Sequence, residues 1–478
     1  MKTVRVPQSD DTVRCHIHTR TTNRPIDLAG LNRAYGTRHS PVILGGHTAQ
    51  SEDHRYSYWA SDPIETCECG AGDLRLFDKL NAYLGKYHYE PDPLPAWPED
   101  MFCGGWIGYF SYDLGQHIES TPCTTRDDLN MPLIRLAFYD RCIVYDHHTD
   151  ITWLIVNEMD NDPLSIEAKF TDLTDTLNTA DTQDRRPNQW VDMEQIDASH
   201  IQCNMTREAY VDAVHRIKQY IRDGETYQIN FSHRFSMPFN ADPMDLFLWQ
   251  NTFNAVPYSA YLSWPGFDIV CASPEMFLTI TGDRIKTKPI KGTRPRLQDN
   301  AKNQRTNAKN YRDLVNCAKE QAELNMIIDL ERNDVAKICI PGTRYVHQAR
   351  TIESFPSVFH AVATVVGQLR PEVELSQVLR ATFPGGSITG APKIRSMEII
   401  DEMEPTARGI YTGSIGFIGL NGNVCLNIAI RTIIIAGRTA FVQTGGGIVA
   451  DSSAEAEYQE TLTKARALLA GIVGVQNR

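Results

Sequence analysis

The sequence has no surplus of positive charge, no Cys-x-x-Cys pair, no long apolar run and no short internal repeat. Lys plus Arg number 47 against 59 Asp plus Glu, a formal balance of −12. A nucleic-acid binder, or a protein held on an anionic membrane surface, needs a net cationic face. Neither partner class is expected here. The best apolar candidate, Ile428 to Ala436, is broken by Arg431 and falls well short of the roughly 20 residues that a spanning helix needs. The opening stretch Met1 to Arg20 lacks the apolar core of about 7–15 residues that marks a secretory leader. The 11 cysteines are scattered from Cys15 to Cys425, and Cys67 and Cys69 have no second cluster at zinc spacing. They are expected to be reduced, mostly packed thiols of a cytoplasmic protein.

What is present is the composition of a folded chain, with 42% hydrophobic and 22% charged residues. The length of 478 residues allows about three domains. From about Pro41 to Trp153 short aromatic and β-branched runs alternate with turn residues, predicting strands. Apolar density falls from Thr174 to His200, around Arg185-Arg186-Pro187, and this stretch is the candidate linker. The expected division is 1–185 and 200–475. Thr206 is a candidate N-cap for a helix carrying Tyr210, Val214, Ile217 and Ile221 and ending at Gly224. A half-polar strand follows from Tyr227 to Ser232. Long helices are expected from about Lys309 to Asp334 and from about Ser453 to Val473. Strands and helices mix without a regular βα repeat, so the fold class is α+β with large, mostly antiparallel sheets.

Several constellations could carry chemistry. Glu320 and Glu323 are three apart on a helix and share a face. Glu457, Glu460 and Lys464 share a face of another. Each set reads either as a solvated helix surface or as half of a Mg²⁺ site, because Mg²⁺ takes one or two carboxylates plus ligand oxygens and water. Gly445, Gly446 and Gly447 lie between the strand Thr439–Gln443 and the second helix. They read either as a tight turn or as a close approach to an anion. Gly385 to Gly390 has the glycine spacing of a P-loop, but Ala391-Pro392 stands where Lys-Ser/Thr is required. That argues against a nucleoside triphosphatase and leaves an anion-contacting loop. Lys291 sits between Ile290 and a Gly turn; a partly buried lysine can lose its proton and act as a nucleophile. Glu275, flanked by apolar residues, can act as a general acid. His360 lies in an apolar run, where a satisfied core histidine is the competing reading.

Together these segments resemble the chorismate-utilising enzyme family. The resemblance rests on Ser273-Pro-Glu275, Pro289-Ile-Lys-Gly-Thr293, Lys319-Glu-Gln-Ala-Glu323, Asp329 to Asp334, Phe383 to Lys393, Tyr411 to Gly416, Ile430-Arg431-Thr432 and Gly445 to Thr461. These ordered motifs cover about residues 200–470, and Gly104 to Gly115 resembles the family's first domain. The resemblance implies the family's chorismate-binding, anthranilate synthase component I-like fold, with an N-terminal domain of that type and a catalytic domain. It implies Mg²⁺ held by Glu323 and Glu460, with Glu320 and Glu457 supporting it. Lys464 and Gly445, Gly446 and Gly447 would hold the ring carboxylate of chorismate. Tyr411 and Arg431 would hold the enolpyruvyl carboxylate. Gln228, Ser387 and His360 would line the pocket, Glu275 would protonate the departing hydroxyl, and Lys291 would attack the ring. Lysine in Pro289-Ile-Lys-Gly-Thr293 resembles the branch that aminates C4; the anthranilate branch usually has alanine there. Anthranilate-type or isochorismate-type chemistry is the near alternative, and a non-catalytic amino-acid-binding regulator is the distant one. The family further implies ammonia as co-substrate, supplied by a separate glutamine amidotransferase subunit. It also implies a tryptophan pocket at Tyr56, Ser57, Tyr58, Trp59, Pro257, Tyr258 and Ser259. Gly45 stands where that pattern has a side-chain hydroxyl, which implies loose binding that a serine would tighten.

Overall fold

The computed structural model describes residues 12–48, 54–90, 97–160, 162–180, 200–297, 300, 302–355 and 358–476. Two large sheets pack face to face. In the first, thirteen-stranded sheet, the strands Gln228–Pro238, Thr439–Ile448, Thr432–Ala436, Phe267–Ser273, Tyr258–Trp264, Val42–Leu44, Tyr56–Ala60, Arg141–Asp146, Ile151–Met159 and Val13–Thr22 follow one another. Among the described residues every pairing in it is antiparallel except that of Val13–Thr22 with Tyr87–Tyr89. The ten-stranded second sheet is wholly antiparallel among the described residues and runs from Ile290–Pro295 through Val358–Gln368, Met276–Thr281 and Ser414–Gly419 to Gly105–Phe110 and Glu65–Cys69. Antiparallel neighbours need no crossover helix, which explains the absence of a βα rhythm in the sequence.

Both sheets take strands from either side of residues 181–199. The division of the sequence near 180–200 therefore does not divide the sheets, and most of the candidate linker lies outside the described residues. Tyr58, Phe102, Ile107, Tyr109, Trp264 and Phe417 form a core from the inner faces. Helices Leu28–Gly36, Pro243–Phe253 and Ala454–Gln476 cover the outer face of the first sheet. All 11 cysteines are free thiols, and seven are buried. No helix of the described residues is long and apolar enough to cross a membrane.

The helix after Thr206 spans Arg207–Arg222, and the Thr206 side chain accepts from the Ala209 amide, a cap worth about 1 kcal/mol. The expected helix from Lys309 to Asp334 is instead two, Gln304–Val315 and Ala318–Ala336. Asn316 ends the first by donating its amide to Arg312 and Leu314, and the extended Cys317 (ψ 101°) starts the second in a new direction. The expected half-polar strand is buried on both faces: Gln228, Asn230 and Ser232 all point into protein, while Tyr227 lies just outside it, 71% exposed. Gly445, Gly446 and Gly447 form no turn; they continue the strand Thr439–Ile448 and pair with Ser232, Phe231 and Asn230.

Candidate active site

The glycine run is flat strand because its neighbours leave no room for side chains. A Cβ on Gly445 would lie 2.5 Å from the Phe231 carbonyl, and one on Gly446 would lie 3.1 Å from Glu457 Oε2. The bare backbone thus lets the first turns of helix Ala454–Gln476 press their carboxylates against the strand. Lys464 Nζ donates to the Gly445 carbonyl at 2.9 Å and pairs with Glu460 Oε1 at 2.7 Å. Glu457 Oε1 accepts from Ser452 Oγ at 2.6 Å.

The start of helix Ala318–Ala336 supplies the other two carboxylates. Glu320 Oε1 takes Arg294 at 2.7 Å, and Glu323 lies 3.8 Å from Lys319 Nζ. Burial pushes Glu323 above the ordinary carboxylate range; Lys291 and Lys319 oppose this, while Glu320 and Glu460 add to it. Burial also acts to raise Glu460, but Lys464, by charge and hydrogen bond, carries it below its ordinary value. The two helices thus present carboxylates to one another across a space shared with Lys291 and Lys464. Among the described residues no three His, Cys, Asp or Glu side chains converge as a metal-ligand cluster. The donor chemistry nevertheless suits Mg²⁺: the groups are hard oxygens, and Glu320 Oε2 is buried without a hydrogen-bond partner.

Lys291 lies on the strand Ile290–Pro295, whose register with Val358–Gln368 shifts between Ile290 and Thr293. Such a bulge re-aims side chains, and here it turns Lys291 inward while Gly292, at φ +90°, lets Glu320 approach its backbone. Lys291 Nζ donates to the Ser387 carbonyl at 3.1 Å. Burial lowers its pKa, opposed chiefly by Glu275 and Glu323. Glu275 is 4% exposed. Its Oε1 accepts from Ser387 Oγ at 2.7 Å and from the Ile290 amide at 3.3 Å. Burial raises its pKa against the pull of that hydroxyl and of Lys291. A buried acid and the amine of a half-buried lysine are therefore held by one serine.

His360 Nδ1 meets Thr293 Oγ1 at 2.9 Å, while its Nε2 is buried without a partner. Burial, with Arg431 adding, lowers its pKa to about 3, so the ring is neutral. Both amide atoms of Gln228 are likewise buried and unpartnered, against Gly447. Buried polar groups are rarely left so, and a polar ligand would satisfy them. Arg431 holds φ +50° and is depressed by burial against the pull of Glu275. The Thr412 amide bonds the Ala429 carbonyl, which sets the segment of Tyr411 beside that of Arg431.

The residues expected to form a tryptophan pocket divide. A cavity of about 500 Å³ between the sheets is lined by Tyr56, Tyr58, Pro257, Tyr258 and Ser259. Ser57 and Trp59 do not line it, because successive strand side chains point to opposite faces. Trp59 is fully buried on the helix side with its Nε1 donating to Asn32 Oδ1 at 2.7 Å, and Ser57 Oγ bonds the Gly46 amide and His147. Gly45 also departs from expectation. It holds φ +82°, and a Cβ there would lie 2.6 Å from His54 Nε2 and 2.7 Å from Ser57 Oγ. A serine at 45 would strain the backbone and crowd those two side chains. Gly45→Ser is expected to destabilise the chain by about 1–3 kcal/mol, read as a lower urea midpoint, with no gain in tryptophan affinity by calorimetry.

Two features went unassigned in the sequence. Glu404 and Arg408, each 1% exposed, form a buried ion pair at 2.7 Å. Glu404 takes the Ser232 amide and hydroxyl, and Arg408 reaches the Ile388 carbonyl at 3.0 Å. The pair ties the glycine-bearing sheet to the loop that holds Ser387. Arg408→Ala would strand a buried carboxylate and is expected to cost about 3–5 kcal/mol in a urea melt. Glu331, 4% exposed, accepts the Gly386 amide at 3.2 Å. An i,i+4 Glu–Arg spacing was the only local signal for the first feature; for the second, Glu331 sits inside the motif Asp329 to Asp334, which assigned it no role of its own.

A family model described as chorismate binding enzyme matches residues 47–470. The chain is 36% identical over 429 residues to aminodeoxychorismate synthase component 1 of Bacillus subtilis (strain 168), covering 87% of this chain and 88% of that one. It is 40% identical over 374 residues to an anthranilate synthase component 1 of Haloarcula marismortui, covering 77% and 75%. Among solved structures, anthranilate synthase component I from Streptococcus pneumoniae TIGR4 matches with a TM-score of 0.74 at 29% identity, over 88% of this chain and 93% of that one. The expected fold is borne out.

Proposed function

The chain belongs to the chorismate-binding enzyme family, and we propose that it aminates chorismate at C4 as component 1 of an aminodeoxychorismate synthase. The observation that carries this reading is Lys291, held with Glu275 on Ser387. A half-buried lysine at the ring face is a nucleophile that the alanine of the anthranilate branch cannot replace. Lys291 adds to C2, the two ring double bonds shift by one place, and the C4 hydroxyl leaves with the proton of Glu275. Ammonia then adds at C4, the double bonds shift back, and Lys291 is expelled, leaving the enolpyruvyl group in place.

Around that chemistry, Lys464 and the Gly445–Gly447 backbone hold the ring carboxylate, and Tyr411 and Arg431 hold the enolpyruvyl carboxylate. Gln228 and the neutral His360 line the ring. Glu323 and Glu460, supported by Glu320 and Glu457, would hold Mg²⁺, which supplies Lewis-acid polarisation of the ring carboxylate when bound. Curated relatives named as components support a partner glutamine amidotransferase that delivers ammonia. We place the protein in the cytoplasm, on the route to p-aminobenzoate and folate, with tryptophan as the candidate ligand of the inter-sheet cavity.

The test is product identity from chorismate, Mg²⁺ and ammonium. The expected product is the C4 amine with its enolpyruvyl group retained, and no product forms from glutamine with the chain alone. Anthranilate with pyruvate, or isochorismate, would overturn the reading. The similarity to an anthranilate synthase component keeps that chemistry as the second reading.

A further inference from the structure

We propose that Glu331 is a positioning residue for the Lys291–Glu275 pair, acting through the Gly386–Ser387 turn. What the pair does rests on the reading above; how it is held does not.

Glu331 lies two turns beyond Glu323 on the helix Ala318–Ala336, buried under the turn Gly386–Ile388. Its Oε1 accepts the Gly386 amide at 3.2 Å. The next residue, Ser387, makes both contacts that organise the site: its hydroxyl goes to Glu275 Oε1 at 2.7 Å, and its carbonyl receives Lys291 Nζ at 3.1 Å. The turn has no slack, since a Cβ on Gly386 would lie 2.5 Å from Leu330 Cδ2 and 3.3 Å from Glu331 Oε1. One carboxylate therefore fixes the peptide from which acid and amine both hang.

Among the described residues, three charged groups act most strongly on Glu331. Asp334 lies on its own helix, Lys393 at the start of Lys393–Met403, and Glu275 just before Met276–Thr281. Lys393 is engaged by Asp334 at 2.6 Å. Burial raises the Glu331 carboxyl to about 7, with Asp334 adding and Lys393 opposing. Ionised, Glu331 makes a charge-assisted bond to Gly386 and disfavours ionisation of Glu275. Its negative charge also favours the ammonium form of Lys291.

The test compares Glu331→Gln, which keeps an acceptor oxygen without the charge, with Glu331→Leu, which keeps neither. The pH dependence of Lys291 labelling by trinitrobenzenesulfonate, read by peptide mass spectrometry on the full chain, reports the amine without any chorismate chemistry. Both variants are expected to lower the labelling midpoint by at least about 0.5 pH unit. With chorismate and ammonium, Glu331→Leu is expected to lose about 10-fold or more in kcat with KM changed less than about 3-fold. Glu331→Gln is expected to recover most of that loss but to flatten the pH profile near 7. A labelling midpoint, kcat and pH profile within error of wild type in the folded Glu331→Leu protein would overturn the proposal, whatever the melting temperatures show. If the wild type makes no C4 amine, the functional reading fails while the labelling result still decides the role of Glu331.

Discussion

Lys291→Ala is expected to lower formation of the C4 amine by roughly 10³-fold or more, as loss of a covalent nucleophile does. The fold should persist, because the residue sits half-buried at a β-bulge and its burial disfavours the charge it carries. Stability should change by no more than about 1 kcal/mol. The carboxylate contacts of Lys464 and Arg431 remain, so chorismate should still bind. With the amine gone, ammonia has access to C2, and a trace of C2-aminated product is expected. Wild type given chorismate without ammonia should show an adduct on the peptide bearing Lys291. The pH profile follows from two opposed requirements. Lys291 must be neutral, and burial brings its pKa down, so activity rises as pH climbs through that lowered value. Glu275 must be protonated, and burial brings its pKa up, so activity falls as pH climbs through that raised value. The result is a bell whose limbs belong to the coupled pair rather than to either residue. Wild-type product formation by Lys291→Ala, with no adduct in the parent, would remove the main support for C4 amination.

The local parts of this molecule were legible and the long-range parts were not. The helix after Thr206 announced itself through its cap and its apolar spacing, both of which act within a few residues. The break at Asn316-Cys317 carries neither Gly nor Pro, so nothing in composition separated Gln304–Val315 from Ala318–Ala336. Gly445 to Gly447 read equally as a turn, because three glycines are locally a turn signal; their straightness is imposed by Phe231 and by Glu457 packing from either side. The sharing of both sheets by the two halves of the chain has no local signature at all.

The site shows the same split. Lys291, Glu275 and the four glutamates were legible because their types and spacings sit in ordered motifs. Glu331 sits in the motif Asp329 to Asp334 too, but its role was not legible, because the Gly386 amide that it accepts is 55 residues away. Ser57 and Trp59 were misplaced for another reason: strand alternation puts only every second residue of Tyr56–Ala60 on the cavity face, so a contiguous run cannot line one pocket.

Glu323→Gln and Glu460→Gln are each expected to reduce turnover by about 10²-fold or more, on the scale of losing a charged group that a bound cation or developing charge relies on. Calorimetry should show weakened Mg²⁺ binding for both, and EDTA should abolish wild-type activity. The two variants should part in stability. Glu323 has a raised folded-state pKa, so its ionised form opposes folding above the unfolded value near 4.3. Removing the carboxyl should leave the neutral-pH fold unchanged or slightly firmer. Glu460 has a lowered folded-state pKa, held by Lys464, so it contributes stability that is present at neutral pH and lost as pH falls through that lowered value. Both side chains of that pair are substantially exposed, and an i,i+4 pair of this kind contributes about 0.3–0.5 kcal/mol. Glu460→Gln should lose no more than that. Matched losses of activity and Mg²⁺ affinity, with stability changes of opposite sign, would tie the carboxylates to a shared cation rather than to the fold. Full ammonia-dependent turnover in EDTA would overturn the metal assignment for all four glutamates.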